Sequence, residues 1–220
     1  MNLFKLIFPP FIYNLSKRCF LYFSPNYYNI RIIKQLSSNV IFRNENHFFT
    51  EDYLKSISNY AEIGSGQSTV FVYRYGIKNI RSVDSDINWI NRVRELCEDT
   101  KRINITHVDF GPLGKYGRPL NYSKINNLSK YSNSIFDNYN PDLILIDGRF
   151  RVYCFLNALL KSEIGTKIIF DDYNNRPHYH VVESIIEVNE TRGRQALFIK
   201  TKVNKDKLIK LMNKFEFVMD

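Results

Sequence analysis

Cysteine is scarce in this chain of 220 residues: there are three, Cys19, Cys97 and Cys154. The number is odd, the spacing is wide and no CxxC pair occurs. That argues against a disulfide framework, gives no zinc-ligand pattern, and fits a reducing, cytoplasmic setting. No run of twenty apolar residues is present, so no segment reads as a bilayer-spanning helix. Low-complexity stretches are missing too. With 44% hydrophobic and 15% aromatic residues, the chain has the material for a packed core, and its length sets one principal domain as the expectation.

Acidic residues are outnumbered, and the formal net charge is +9. The lysines and arginines are scattered, with a mild concentration at Lys200, Lys202, Lys205, Lys207, Lys210 and Lys214. Scatter of this kind reads as a lysine-rich surface, not as a stripe for nucleic acid, which is not an expected partner. An acidic substrate or an anionic membrane surface stays open. Residues 3–13 are apolar, broken by Pro9 and Pro10, with Lys17 and Arg18 behind them. That order is the reverse of a signal peptide, and no small-residue cleavage site follows. Residues 1–58 therefore read as an N-terminal extension, mostly helix and loop packing on the domain. It leaves a peripheral membrane contact open.

From residue 59 strands and helices alternate. Strands are predicted over 59–63, 80–84, 103–108, 142–147 and 167–171. The run 142–147 is apolar and lies between Pro141 and Gly148, as a central parallel strand requires. Over 151–161, Val152, Phe155, Leu156, Leu159 and Leu160 recur on one helical face. Pro177 suits a helix start, with Val181, Val182, Ile185 and Ile186 facing the sheet. A strand at 196–200, a helix at 206–213 and a short strand at 215–218 complete the pattern. The prediction for 59–220 is an α/β domain: a Rossmann-like, doubly wound, mainly parallel sheet of about seven strands with helices on both faces.

Such sheets bind ligands at the carboxyl ends of their strands. Three acidic residues fall there: Glu62, Asp84 and Asp109. Glu62 opens the segment Glu62-Ile63-Gly64-Ser65-Gly66, whose glycines would let the backbone approach a ligand. Asp84 ends the next strand about 20 residues later, where a carboxylate can accept from two ribose hydroxyls. This set is similar to the cofactor signature of the class I S-adenosylmethionine-dependent methyltransferases, over roughly residues 60–172. The resemblance implies that Glu62, Gly64, Ser65, Gly66 and Ser68 surround the methionine part of the cofactor. Asp84 would hold the ribose, and Asp109 would lie near the adenine amine. A nicotinamide site fits less well, because Thr69 stands where the third glycine of that fingerprint belongs.

A second constellation joins Ile146-Asp147-Gly148-Arg149-Phe150-Arg151 to Phe170-Asp171-Asp172-Tyr173. It resembles the metal-dependent O-methyltransferases of sugar and phenol chemistry. That resemblance implies a magnesium ion held by Asp147, Asp171 and Asp172, since clustered carboxylates call for a cation and hard oxygens suit magnesium. The sugar-modifying relatives carry an acidic residue just after the strand-four glycine, where this chain has Arg149. A guanidinium there reads as a bidentate clamp for an anionic acceptor. Asp172 and His178 are the candidate bases, and Asp147, Arg149, Asp172 and His178 form the candidate catalytic set. The connection 110–140, with Tyr116, Tyr122 and Tyr131, reads as a lid or substrate wall. The Asp/Asn-Pro-Pro-aromatic motif of base amino-methyltransferases is absent. The reading is S-adenosylmethionine-dependent methylation, at oxygen, of a small polar or acidic acceptor. The alternative is a non-catalytic binding protein on the same fold, membrane-associated or part of a complex. Nothing in the sequence names the acceptor or the oligomeric state.

Overall fold

The computed structural model describes residues 46–98 and 101–219. The apolar run 3–13, Lys17, Arg18, Cys19 and the membrane contact read from them lie outside the described residues. Cys97 and Cys154 are buried thiols. No helix among the described residues is long and apolar enough to cross a membrane.

Seven strands form one sheet: β1 (Asn59–Ile63), β2 (Asn79–Asp84), β3 (Ile103–His107), β4 (Leu143–Ile146), β5 (Lys167–Phe170), β6 (Glu190–Arg192) and β7 (Gln195–Ile199). Their order is β3-β2-β1-β4-β5-β7-β6. The first five strands in that order run parallel, whereas β7 is antiparallel to both β5 and β6. β4 is Leu-Ile-Leu-Ile and buried throughout, because parallel neighbours and covering helices close both its faces. The register pairs Ile63 with Val83 and with Ile146, Asp84 with His107, and Ile146 with Phe170. Residues that follow these pairs in sequence therefore leave the sheet along one edge.

Among the described residues the α-helices are α1 (Glu51–Leu54), α2 (Gln67–Tyr75), α3 (Ile87–Leu96), α4 (Leu128–Asn133), α5 (Arg151–Lys161) and α6 (Lys205–Lys214). α5 buries Val152, Phe155, Leu156 and Leu159 as its periodicity predicts, with Leu160 at the margin. Phe155 meets Phe170 and Phe198, ring centroids 5.2 and 4.6 Å apart, and so ties α5 to β5 and β7. Residues 46–58 carry α1 and bury Phe48, Phe49, Leu54 and Ile57. Phe48 N–H donates to the Gln195 side chain at 3.2 Å, and Tyr53 O–H to Glu190 at 2.8 Å.

Three elements differ from the sequence reading. Residues 215–218 are not a strand: Phe215 follows the last turn of α6, and Phe217 and Val218 are exposed. Phe217 instead packs edge-on against Tyr122, whose hydroxyl donates to its carbonyl at 2.9 Å. The remaining strand is β6, three polar residues with no alternation to read. Only its hairpin pairing with β7 makes it a strand. The segment after Pro177 is 3-10 helix over Pro177–Ser184. Its Val182 and Ile186 still bury on the core, with Val181 and Ile185 beside them.

Candidate functional site

At the carboxyl edge two backbones cross in contact. Gly64 N–H donates to Val83 O at 2.8 Å, and Asp147 N–H to Ile63 O at 2.9 Å. Gly64 has φ +98°, and a Cβ there would stand 2.6 Å from Gly148 N. A Cβ on Gly148 would stand 2.3 Å from the Tyr131 hydroxyl and 3.0 Å from Gly64 N. The neighbouring loop thus places a steric demand of its own on Gly64. Gly66 is less constrained, because a Cβ would only touch the Trp89 indole at 3.5 Å. Trp89 N–H donates to the Ser65 carbonyl and holds the loop from α3. Ser65 Oγ is buried with no hydrogen-bond partner among the described residues.

Glu62, expected among the cofactor contacts, has no exposed surface. Its carboxylate accepts from Tyr60 at 2.9 Å, from Ser68 at 2.6 Å and from Thr69. It anchors the glycine loop and the start of α2 from beneath. Ser68, also assigned to the cofactor, is likewise buried and donates to Glu62. Burial pushes the Glu62 carboxyl up from 4.5 to about 7, against the pull of its hydroxyl donors. The folded state then keeps a proton that the unfolded chain releases between those values. Stability is full below the unfolded value and falls as pH rises through about 7, by up to about 3 kcal/mol. Glu62→Gln should flatten the dependence of Tm on pH between about pH 5 and 8. An unchanged slope would show that Glu62 keeps its ordinary value.

Asp84 ends β2 with part of its side chain at the open edge. Burial by the surrounding protein raises its carboxyl to about 7, opposed by the N–H groups of Asp86, Ser85 and Ser65. The Asp86 N–H donates at 2.9 Å, and the contact with Ser65 links Asp84 to the glycine loop. Asp109 is exposed. It pairs with Lys124 and accepts from Gly111 N–H at 2.6 Å, contacts that hold its carboxyl below the usual range. Asp109 thus pins the connection that follows β3.

Asp147, Asp171 and Asp172 converge as the sequence reading expected, with a carboxylate oxygen of each within 4.8 Å of the others. Arginines fill the space around them. Arg151 is almost fully buried and donates to Asp147 Oδ1 at 2.8 Å and Asp172 Oδ2 at 3.1 Å. It also donates to the carbonyls of Asp147, Gly148 and Asp171. Arg194 grips Asp171, with Nη2 at 2.8 Å from Oδ2 and Nε at 3.1 Å from Oδ1, and its Nη1 lies 3.3 Å from Asp172 Oδ1. Arg176 donates to Asp172 Oδ2 at 2.9 Å, and Gln195 to Asp171 Oδ1 at 2.9 Å. Burial, then the Asp147 charge, push the Asp171 carboxyl upward, and Arg194 opposes them. Hard oxygens are present, but guanidinium groups already neutralise them, so this arrangement does not fit the magnesium ion implied by the resemblance. The sequence reading missed Arg194, Gln195 and Trp89, which carry no motif of their own.

Arg149, read as an anion clamp, donates through Nε to the Tyr116 carbonyl at 3.0 Å. Gly117 O accepts from Ser85 O–H at 3.2 Å, so the turn Lys115–Gly117 straps across the edge from β4 to β2. Tyr116 and Tyr122 are exposed, but Tyr131 is not a lid residue: it is buried in the core. His178 is exposed, its ring packed edge-on against Tyr179. A depression of about 570 Å³, lined by Asn59, Asn79, Arg81, Arg102 and Tyr139 among others, lies at the opposite, amino-terminal edge. There Arg81 donates to Asp137 O and Arg102 to Ile77 O, so these two cations serve the fold.

No protein-family model matches the sequence, and no curated protein matches it significantly. Among solved structures, a methyltransferase-like protein from Silicibacter pomeroyi is 25% identical over 78% of this chain and 97% of its own, with a TM-score of 0.66. The N-methyltransferase NodS from Bradyrhizobium japonicum, in complex with S-adenosyl-L-homocysteine, is 14% identical over 78% of this chain and 97% of its own, with a TM-score of 0.45. MycE, a methyltransferase of the mycinamycin pathway in complex with Mg and SAH, is 14% identical over 69% of this chain and 43% of its own, with a TM-score of 0.43. The last two are too distant to bear on the chemistry here. With its strand order and its similarity to the S. pomeroyi protein, the chain has the Rossmann-like fold of the class I S-adenosylmethionine-dependent methyltransferases.

Proposed function

We propose that this protein binds S-adenosylmethionine and methylates a small polar or acidic acceptor at oxygen. The observation that carries the reading is the pairing of Asp84 with the glycine loop. A carboxylate stands at the open end of β2, touched by Ser65 N–H, and the Ser65 hydroxyl is buried without a hydrogen-bond partner among the described residues. A buried polar atom left unpaired is costly, and a polar ligand on the loop would satisfy it. These residues suit the cofactor: the Asp84 carboxylate accepts from two ribose hydroxyls, and the loop cradles the methionine end. The bound cofactor would supply a methyl group already activated by its sulfonium. The protein's part is then to align the acceptor.

On the acceptor side, Arg176 and Arg194 keep 35% and 38% of their side chains exposed, which suits an anionic group. Asp172 is held by three guanidinium groups and His178 is exposed, so neither is assigned as the base. The same closed acidic cluster favours a second reading, a cofactor-binding protein that transfers no methyl. Calorimetry with S-adenosylmethionine tests binding, and labelled cofactor with an acceptor panel separates the two readings. Asp84→Asn should weaken cofactor binding by roughly 1–3 kcal/mol, about 5- to 150-fold. Asp109→Asn should matter less, because Lys124 and Gly111 already engage that carboxylate. Equal affinity of wild type and Asp84→Asn would place the pocket elsewhere.

A further inference from the structure

We infer that Arg194, with Arg151 behind it, takes the place of a divalent cation among Asp147, Asp171 and Asp172, so that this acidic cluster is closed to metal. Arg151 approaches from the start of α5 and Arg194 from the β6–β7 turn. Between them and Arg176, guanidinium nitrogens lie within 3.3 Å of Asp147 Oδ1, both oxygens of Asp171 and both oxygens of Asp172. A magnesium or manganese ion needs those same oxygens at about 2.1 Å, and it would meet the guanidinium charges at close range.

The two arginines are fixed by different means. Arg151 is bound on every side by carbonyls and carboxylates, so it cannot swing away without stranding them. Arg194 is positioned by its turn: Asn174 N–H donates to Arg194 O at 3.2 Å, and the Asn174 side chain to Gly193 O at 2.8 Å. It holds Asp171 through one hydrogen bond, from Nε to Oδ1 at 3.1 Å, and through an ion-pair contact of Nη2 with Oδ2 at 2.8 Å, while Oδ2 itself accepts no hydrogen bond among the described residues. Part of its side chain faces solvent, so it is the removable member of the pair.

The proposed methyl transfer gives the cluster its place beside the acceptor, and the inference rests on it only for that. The test is a titration of the full chain with Mn²⁺, read by electron paramagnetic resonance and calorimetry, with no cofactor or acceptor present. Its failure is therefore distinguishable from failure of the methyltransferase reading. Wild type is expected to show no saturable binding up to about 1 mM ion. Arg194→Gln should open the site and tighten Mn²⁺ binding at least tenfold, and Arg194→Gln with Asp171→Asn should close it again. Arg194→Lys keeps a cation on the turn and should stay closed. Saturable Mn²⁺ binding by wild type below about 1 mM would overturn the inference, and this arm needs no variant to fold. So would a folded Arg194→Gln protein that takes no ion, or an Arg194→Lys protein that binds it.

Discussion

Gly64→Val is expected to destabilise the protein by about 3 kcal/mol or more, with cofactor affinity lost as a consequence and not as the primary effect. Two independent penalties add. The backbone at Gly64 has φ +98°, a conformation a β-branched residue avoids. The first side-chain atom would also fall 2.6 Å from Gly148 N, 2.7 Å from Gly148 Cα and 2.8 Å from the Asp147 carbonyl carbon, all backbone atoms of the adjoining loop. Neither loop can retreat cheaply, because β1 and β4 pair up to Ile63 and Ile146, and Tyr131 closes the far side of Gly148. Urea unfolding monitored by circular dichroism measures the loss. A Gly64→Ala protein of wild-type stability that has lost only cofactor affinity would contradict the crossing and favour the ligand-approach explanation.

Arg151→Met is expected to cost about 3–5 kcal/mol, because it leaves buried charges uncompensated. Arg151 has 4% of its side chain exposed and lies against carboxylates of Asp147 and Asp172 and carbonyls of three residues. Methionine fills much of the volume but supplies no donor, so the loss isolates electrostatics and hydrogen bonding from packing. Asp147→Asn in the Arg151→Met background should recover part of the stability, since one unpaired charge disappears. A double-mutant cycle from unfolding titrations reads that coupling directly. A loss below about 1 kcal/mol would mean that solvent replaces the guanidinium and that Arg151 is not what holds the two loops together.

The primary sequence determined the domain's frame. Short apolar runs ending in acidic residues, separated by helices of period 3.6, admit little besides a parallel α/β sheet. In such a sheet successive strand ends share one edge, so Glu62, Asp84, Asp147, Asp171 and Asp172 were legible as neighbours before any coordinates. What each carboxylate meets was not legible. Glu62 turned out to lie under the loop against hydroxyls, and Asp109 to hold Lys124, because burial and partner depend on the depth of a side chain in the packed edge. Arg194 is the clearest case. It lies 23 residues from Asp171 in sequence, on a turn beside a strand with no hydrophobic pattern. Only because β7 runs antiparallel to β5, pairing Ala196 with Phe170, does the β6–β7 turn come back to the carboxyl edge and bring a guanidinium onto Asp171. Periodicity specifies which face of a strand is buried; the direction in which a distant strand returns, and so which charge meets which, is decided by tertiary pairing.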